Sequence, residues 1–174
     1  MNLKDILLAS FSSAADRDRG AAFINQNPSY FSSLLQLACA PDQNRENVLA
    51  SWILEKYALN QIECLKPNLT VFLNGALQQR NDSKRRPMAK LLFYYCINEK
   101  RRKLLTQEQI DLIVEVCFNY LLASRKTAPL AFAMKNLHFF RDHKPWIEEE
   151  LQAYIKKNLP NSSAGFQSVV RQIS

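Results

Sequence analysis

The chain has 174 residues, a formal net charge of +7, and only three glycines beside seven prolines. That length suits one domain with a continuous core, and so few chain breakers argue against a β-rich or loop-rich fold. No run of about 18 uninterrupted apolar residues occurs, so no membrane-spanning helix is expected.

Taken in chain order, the apolar pattern predicts five helix pairs within a single domain, residues 1–174. They are Leu3–Ser13 with Arg17–Asn25, Ser29–Cys39 with Asn44–Leu59, Asn68–Gln79 with Ser83–Asn98, Gln107–Ala123 with Thr127–Arg141, and Trp146–Asn158 with Ser162–Ile173. The prolines mark helix ends: Pro28, Pro67 and Pro145 before first helices, Pro87 and Pro129 in opening turns of second helices, Pro41 and Pro160 in connections. Proline is tolerated there because first-turn N–H groups lack intrahelical partners, whereas a helix interior disfavours it by about 3 kcal/mol. Thr106 and Gln109 have the spacing of a capping box. In the last helix Phe166, Val169, Val170 and Ile173 form one apolar stripe, the pattern of a terminal cap with a single buried face.

The pairs repeat. Leu34, Leu73, Leu112 and Leu151 lie 39 residues apart, each six positions after Pro28, Pro67, Thr106 or Pro145. One turn further on stand Ala38, Leu77, Val116 and Ile155, apolar in every copy and on the same helix face. The second helices carry Leu49-Ala50 with Ile53, Met88-Ala89 with Leu92, and Leu130-Ala131 with Met134; the last step is 42 residues, which an insertion in the fourth unit explains. The expected fold class is all-α, an α-α superhelix of about five stacked antiparallel helix pairs.

This pattern resembles the HEAT-like repeat. The stretches Ala50-Ser51-Trp52-Ile53-Leu54-Glu55, Arg86-Pro87-Met88-Ala89-Lys90 and Leu159-Pro160-Asn161-Ser162-Ser163-Ala164-Gly165-Phe166 narrow the likeness to a group of small bacterial HEAT-like proteins. Members of that group sometimes carry the label adenylosuccinate lyase. Lyases of that superfamily are more than twice as long and carry a signature loop of serine, methionine, proline, lysine and asparagine; this sequence has no such loop. Second helices usually line the concave surface of HEAT-like folds. The resemblance therefore implies that Asn47, Ser51 and Glu55, with Arg86, Lys90 and Tyr94, face a ligand.

No catalytic, cofactor-binding or metal-ligating residue emerges. His138 and His143 are five apart, which turns them about 140° from each other on a helix, whereas two ligands of one metal favour a spacing of four. There is no glycine-rich phosphate loop, no Gly-x-Ser-x-Gly elbow and no Cys-x-x-Cys. Glu148-Glu149-Glu150 suits the first turn of a helix, where carboxylates complement the dipole. Cys39, Cys64, Cys96 and Cys117 are at least 21 residues apart and read as small core hydrophobes of a reducing compartment. An early acidic residue at Asp5, with no small-residue cleavage site, argues against a secretory signal. The cytoplasm is the expected location.

Charge is distributed unevenly. Residues 1–80 hold seven Lys/Arg and seven Asp/Glu, while residues 81–174 hold 16 and nine, so the second half carries the whole excess. Arg45 and Lys84-Arg85-Arg86, with Arg125 and Lys126, are expected along one edge of the array, and Arg101, Arg102, Lys103, Arg141 and Lys144 along the other. Two readings stand open: a basic surface for a partner, or cations that serve helix ends. Lys84 to Arg86 lie near a helix N-terminus, where the dipole disfavours each by about 0.3 to 1 kcal/mol. The function expected is a non-catalytic interaction scaffold for another protein. The alternative is a nucleic-acid-binding protein using the basic half.

Overall fold

The computed structural model describes residues 3–9, 13–41 and 44–173. Within them lie eleven α-helices and no strand: α1 Leu3–Ala9, α2 Ala14–Gln26, α3 Phe31–Cys39, α4 Arg45–Asn60, α5 Leu69–Leu77, α6 Asp82–Cys96, α7 Glu99–Lys103, α8 Gln107–Ala123, α9 Thr127–Phe139, α10 Pro145–Asn158 and α11 Ala164–Ile173. Residues 10–12, the end of the predicted first helix, fall outside the described residues.

Local chemistry sets the helix starts. Ser13, Asn44, Asn81, Asn98 and Thr106 each stand in extended conformation, and each side chain accepts a hydrogen bond from the backbone N–H three residues on. These bonds satisfy donors that have no partner inside the helix. At α8 the capping box is complete, with Gln109 reaching back to the Thr106 N–H.

The helices pack in two rows. Helices α2, α4, α6, α9 and α11 touch in that order, and α3, α5 and α8 touch in a second row. Of the predicted pairs, α3 with α4 and α8 with α9 pack closely, while α5 and α6 meet sparsely. Helix α1 rests on α4, and both α10 and α11 lean on α9. One apolar cluster, from Leu3 to Ile173, runs through the chain. Glycine permits two of the closest approaches. A Cβ on Gly20 of α2 would lie 2.5 Å from Ile53 Cδ1, and one on Gly75 of α5 would lie 2.3 Å from Cys39 Cβ.

Each 39-residue column holds in three of its four copies. Leu34, Leu73 and Leu151 are buried while Leu112 is half-buried beside the buried Ile113, and in the second column Ala38, Val116 and Ile155 are buried while Leu77 is half-buried. Helix α8, 17 residues against nine in α5, carries the extra length of the fourth unit, and α7, which the sequence pattern did not predict, lies between α6 and α8. In α9, likewise, Leu130 and Ala131 are half-buried while Ala133, Met134 and Leu137 are fully buried.

Pro87 also departs from expectation, because α6 begins at Asp82 and places it inside the helix. Lacking an N–H, Pro87 leaves the Ser83 carbonyl without its usual i+4 donor. The indole N–H of Trp52 on α4 donates to that carbonyl at 2.8 Å. The proline therefore creates an acceptor that ties α6 to α4.

Candidate partner-binding surface

Four of the cations singled out in the sequence, Lys84, Arg85, Arg101 and Arg102, serve helix C-termini. Lys84 is fully buried, and its Nζ donates to the carbonyl of Ala40 at the end of α3. Gln79 Nε2 donates to Cys39 O at 3.0 Å and Gly75 O at 2.7 Å. Arg85, also buried, gives Nε to Gln79 O at 3.0 Å and lies 5.7 Å from the Tyr120 ring centroid. Tyr120 in turn donates its hydroxyl to Ala76 O at 2.7 Å. The carbonyl ends of α3 and α5 are thus capped by side chains from their neighbours, with cations at the negative poles of the dipoles. This resolves why Lys84 and Arg85 sit at the start of α6: each reaches past its own helix to the end of another.

The second basic run does the same for α6. Arg101 donates to Tyr95 O at 2.8 Å and Tyr94 O at 2.9 Å, and Arg102 donates to Cys96 O at 2.5 Å and Ile97 O at 3.1 Å. Arg101 also pairs with Glu63 at 2.8 Å. Lys144 pairs with Asp111, whose carboxyl is held below its ordinary value by hydrogen bonds from Lys144 and Gln107.

Among the residues expected to face a ligand, burial removes several. Asn47 and Ser51 are buried, with Ser51 Oγ donating to Val48 O at 2.7 Å. Glu55 is buried as well, and its carboxylate takes Arg86 at 2.9 Å and Lys90 at 2.8 Å. The stripe Asn47, Ser51 and Glu55 therefore belongs to the packing of α4, with Lys84 and Arg85 as caps. Arg86 and Lys90 remain half-buried beside a shallow pocket of about 280 Å³ that also takes in Arg17, Trp52 and Lys56. Arg17 stands 5.7 Å from the Trp52 ring.

Tyr94 is exposed and begins an aromatic row along α6 and α9. Phe93 meets Tyr94 edge-on at 5.4 Å, Phe132 at 5.6 Å and Phe139 in a stacked arrangement at 5.8 Å. Lys135 lies 5.4 Å from the Phe93 centroid and Arg102 lies 4.6 Å from that of Phe139. Such pairs desolvate a cation against a ring face and favour its retention there. Arg125 and Lys126 have exposed side chains at the turn between α8 and α9. Their backbone N–H groups both donate to Asp82 Oδ2 at 2.9 Å. Burial raises the Asp82 carboxyl, but the backbone N–H groups of Arg125 and Lys126 and the nearby Arg85 cation help hold the group below its ordinary value.

A second surface lies outside the residues that the sequence pattern singles out. Helices α8 and α10 make sparse contact, and a groove of about 640 Å³ separates them. Val114, Phe118, Leu122 and Trp146 supply its apolar lining, with Leu122 82% and Trp146 44% exposed. The available signal was the run of apolar residues on nearly every side of α8, more than one packing face requires.

The buried thiols offer little nucleophilic reactivity. Burial pushes Cys39 and Cys96 up to about 12, and Cys117 well above its ordinary value. His138 is lowered, first by burial and then by Arg141. Among the described residues no group of three or more His, Cys, Asp or Glu could hold a metal ion, and no helix is long and apolar enough to cross a membrane. The chain matches no protein-family model, no curated protein and no solved structure.

Proposed function

We propose that this chain is a non-catalytic HEAT-like helical-repeat protein of the cytoplasm, an α-α superhelix that presents its surface to a protein partner. The two rows of neighbouring helices and the repeated buried leucines support the array. The observation that carries the choice of partner is the engagement of the cations. Lys84, Arg85, Arg101 and Arg102 donate to backbone carbonyls of the chain itself, and Arg86 and Lys90 share Glu55. A phosphate backbone is bound by cations that exchange small counterions for phosphates along a path, and these six already have acceptors. Exposed Tyr94, Leu122 and Trp146 instead offer the aromatic and apolar anchors that protein interfaces favour.

Nucleic acid is the second reading, favoured by the exposed side chains of Arg125 and Lys126. The two readings separate in one set of measurements. Affinity capture from the source cells is expected to recover a discrete partner, lost with Tyr94→Glu or Leu122→Asp, and random duplex is expected to show no binding at about micromolar concentrations and moderate salt. Salt-sensitive duplex binding abolished by Arg125→Ala with Lys126→Ala would replace the protein reading by the nucleic-acid one.

A further inference from the structure

The groove between α8 and α10 has an order that a random exposed patch lacks. Val114, Phe118 and Leu122 follow one another at intervals of four along α8 and so form one stripe. Asp111, Glu115 and Asn119 form the adjoining stripe at the same interval, and on α10 Trp146 and Glu150, also four apart, share one stripe facing the groove. The floor is apolar and each wall carries a carboxylate. Asp111 is paired with Lys144, while Glu115 and Glu150 are exposed and form no ion pair among the described residues. A net-negative groove on a chain of charge +7 is a local reversal of sign, and it selects a cationic occupant.

We infer that this groove docks an amphipathic helix of a protein partner, apolar on one face and flanked on both sides by lysine or arginine. The inference rests on the protein-scaffold reading and gives that partner a shape. The groove follows α8 from Asp111 to Leu122, about 16 Å of helix rise or three turns. An apolar stripe at i, i+4 and i+7 would lie over the surface that Leu122 and the contacting rings of Phe118 and Trp146 form, the usual helix-in-groove arrangement. A second copy of this chain is a poor occupant. Two-fold pairing through this face would bring two net-negative grooves together, and like charges in apposition oppose association.

The test uses the full chain and a fluorescein-labelled 14-residue helical peptide with leucines in an i, i+4, i+7 pattern and lysines on both flanks. Anisotropy is expected to give saturable binding in the range of about 1 to 100 μM, typical of a small transient interface. Binding is expected to weaken at least about tenfold for Leu122→Asp, a change of about 1.4 kcal/mol, and for a peptide with glutamates in place of lysines. The double variant Glu115→Lys, Glu150→Lys is expected to reverse the preference between the two peptides. Leu122 is 82% exposed, so its variant should fold, and circular dichroism checks this.

Absence of saturable binding, or equal binding of a scrambled peptide or by Leu122→Asp, would overturn the inference. So would a concentration-dependent dimer in sedimentation that Leu122→Asp abolishes, since it would assign the groove to a second copy. Failure here leaves the scaffold reading standing if capture still recovers a partner sensitive to Tyr94→Glu; loss of that partner as well would remove both.

Discussion

Where α5 meets α3, Gly75 lets the backbones approach until an added methyl would stand 2.3 Å from Cys39 Cβ, whereas between α8 and α10 the rings of Phe118 and Trp146 face each other at 5.6 Å. The first junction is buried and capped: Gln79, Lys84 and Tyr120 donate to the carbonyls at the ends of α3 and α5. The second is joined by groups nearer solvent, the Lys144–Asp111 pair and the 2.7 Å hydrogen bond between Gln107 and His143. Helices of one array therefore close when a small residue permits backbone approach and side chains satisfy the exposed carbonyls. They stay apart when large rings and surface polar groups supply the contact instead. Stability belongs to the first arrangement and accessible surface to the second.

The largest expected difference comes from truncating one leucine at each junction. Leu73→Ala, at a fully buried site, should cost about 2 to 5 kcal/mol by lost transfer energy and residual cavity. Leu122→Ala should change stability by less than about 0.5 kcal/mol, as a surface substitution. Urea unfolding of both measures the contrast, and equal losses would break it. Leu112→Ala, half-buried, should fall between the two.

A smaller contrast concerns the cations. Lys84→Ala leaves the Ala40 carbonyl without its ammonium donor and empties a buried site, with an expected loss of about 1 to 3 kcal/mol. Lys126→Ala, at an exposed side chain, should stay within about 0.5 kcal/mol. Comparable effects would mean that the capping network contributes nothing beyond ordinary surface charge.

The smallest effect is pH-dependent. Asp82 has a folded-state pKa below its ordinary value of 3.8. It binds protons less readily when folded, so its contribution is complete above that ordinary value and disappears as pH falls through the lower folded one. Asp82→Asn should therefore be less stable than the parent at neutral pH, with the gap closing below about pH 4. A gap constant from pH 7 to pH 2 would exclude the carboxylate as its source.

Much of the helical layout was legible because helix ends are local chemistry. Thr106 with Gln109 announced α8, and the stripe Phe166, Val169, Val170 and Ile173 is buried as expected, whereas α7, capped by Asn98, went unpredicted. The leucine column failed at Leu112 although the interval is unchanged, because α8 turns Ile113, Val116 and Tyr120 to the core and leaves Leu112 at its margin. The candidate surface was legible only in part. Tyr94, Arg125 and Lys126 are exposed as expected, but Asn47, Ser51, Glu55, Lys84 and Arg85 are buried. A lysine side chain is long enough to leave its own helix and reach a distant carbonyl, so charge along the sequence does not state which surface carries it. The groove was missed for the opposite reason: apolar residues read as core until the neighbouring helix is found standing away.

The two tryptophans of this chain divide between the closed and the open junctions. Trp52 lends its indole to the carbonyl that Pro87 leaves vacant, and Trp146 stands 44% exposed at the mouth of the groove. Their emission colours and quenching by acrylamide accordingly report two separate places without any attached dye. Loosening of α4 from α6 would dim or shift one signal, and occupation of the cleft beside α10 would move the other, so the chain carries an optical gauge for each kind of junction it contains.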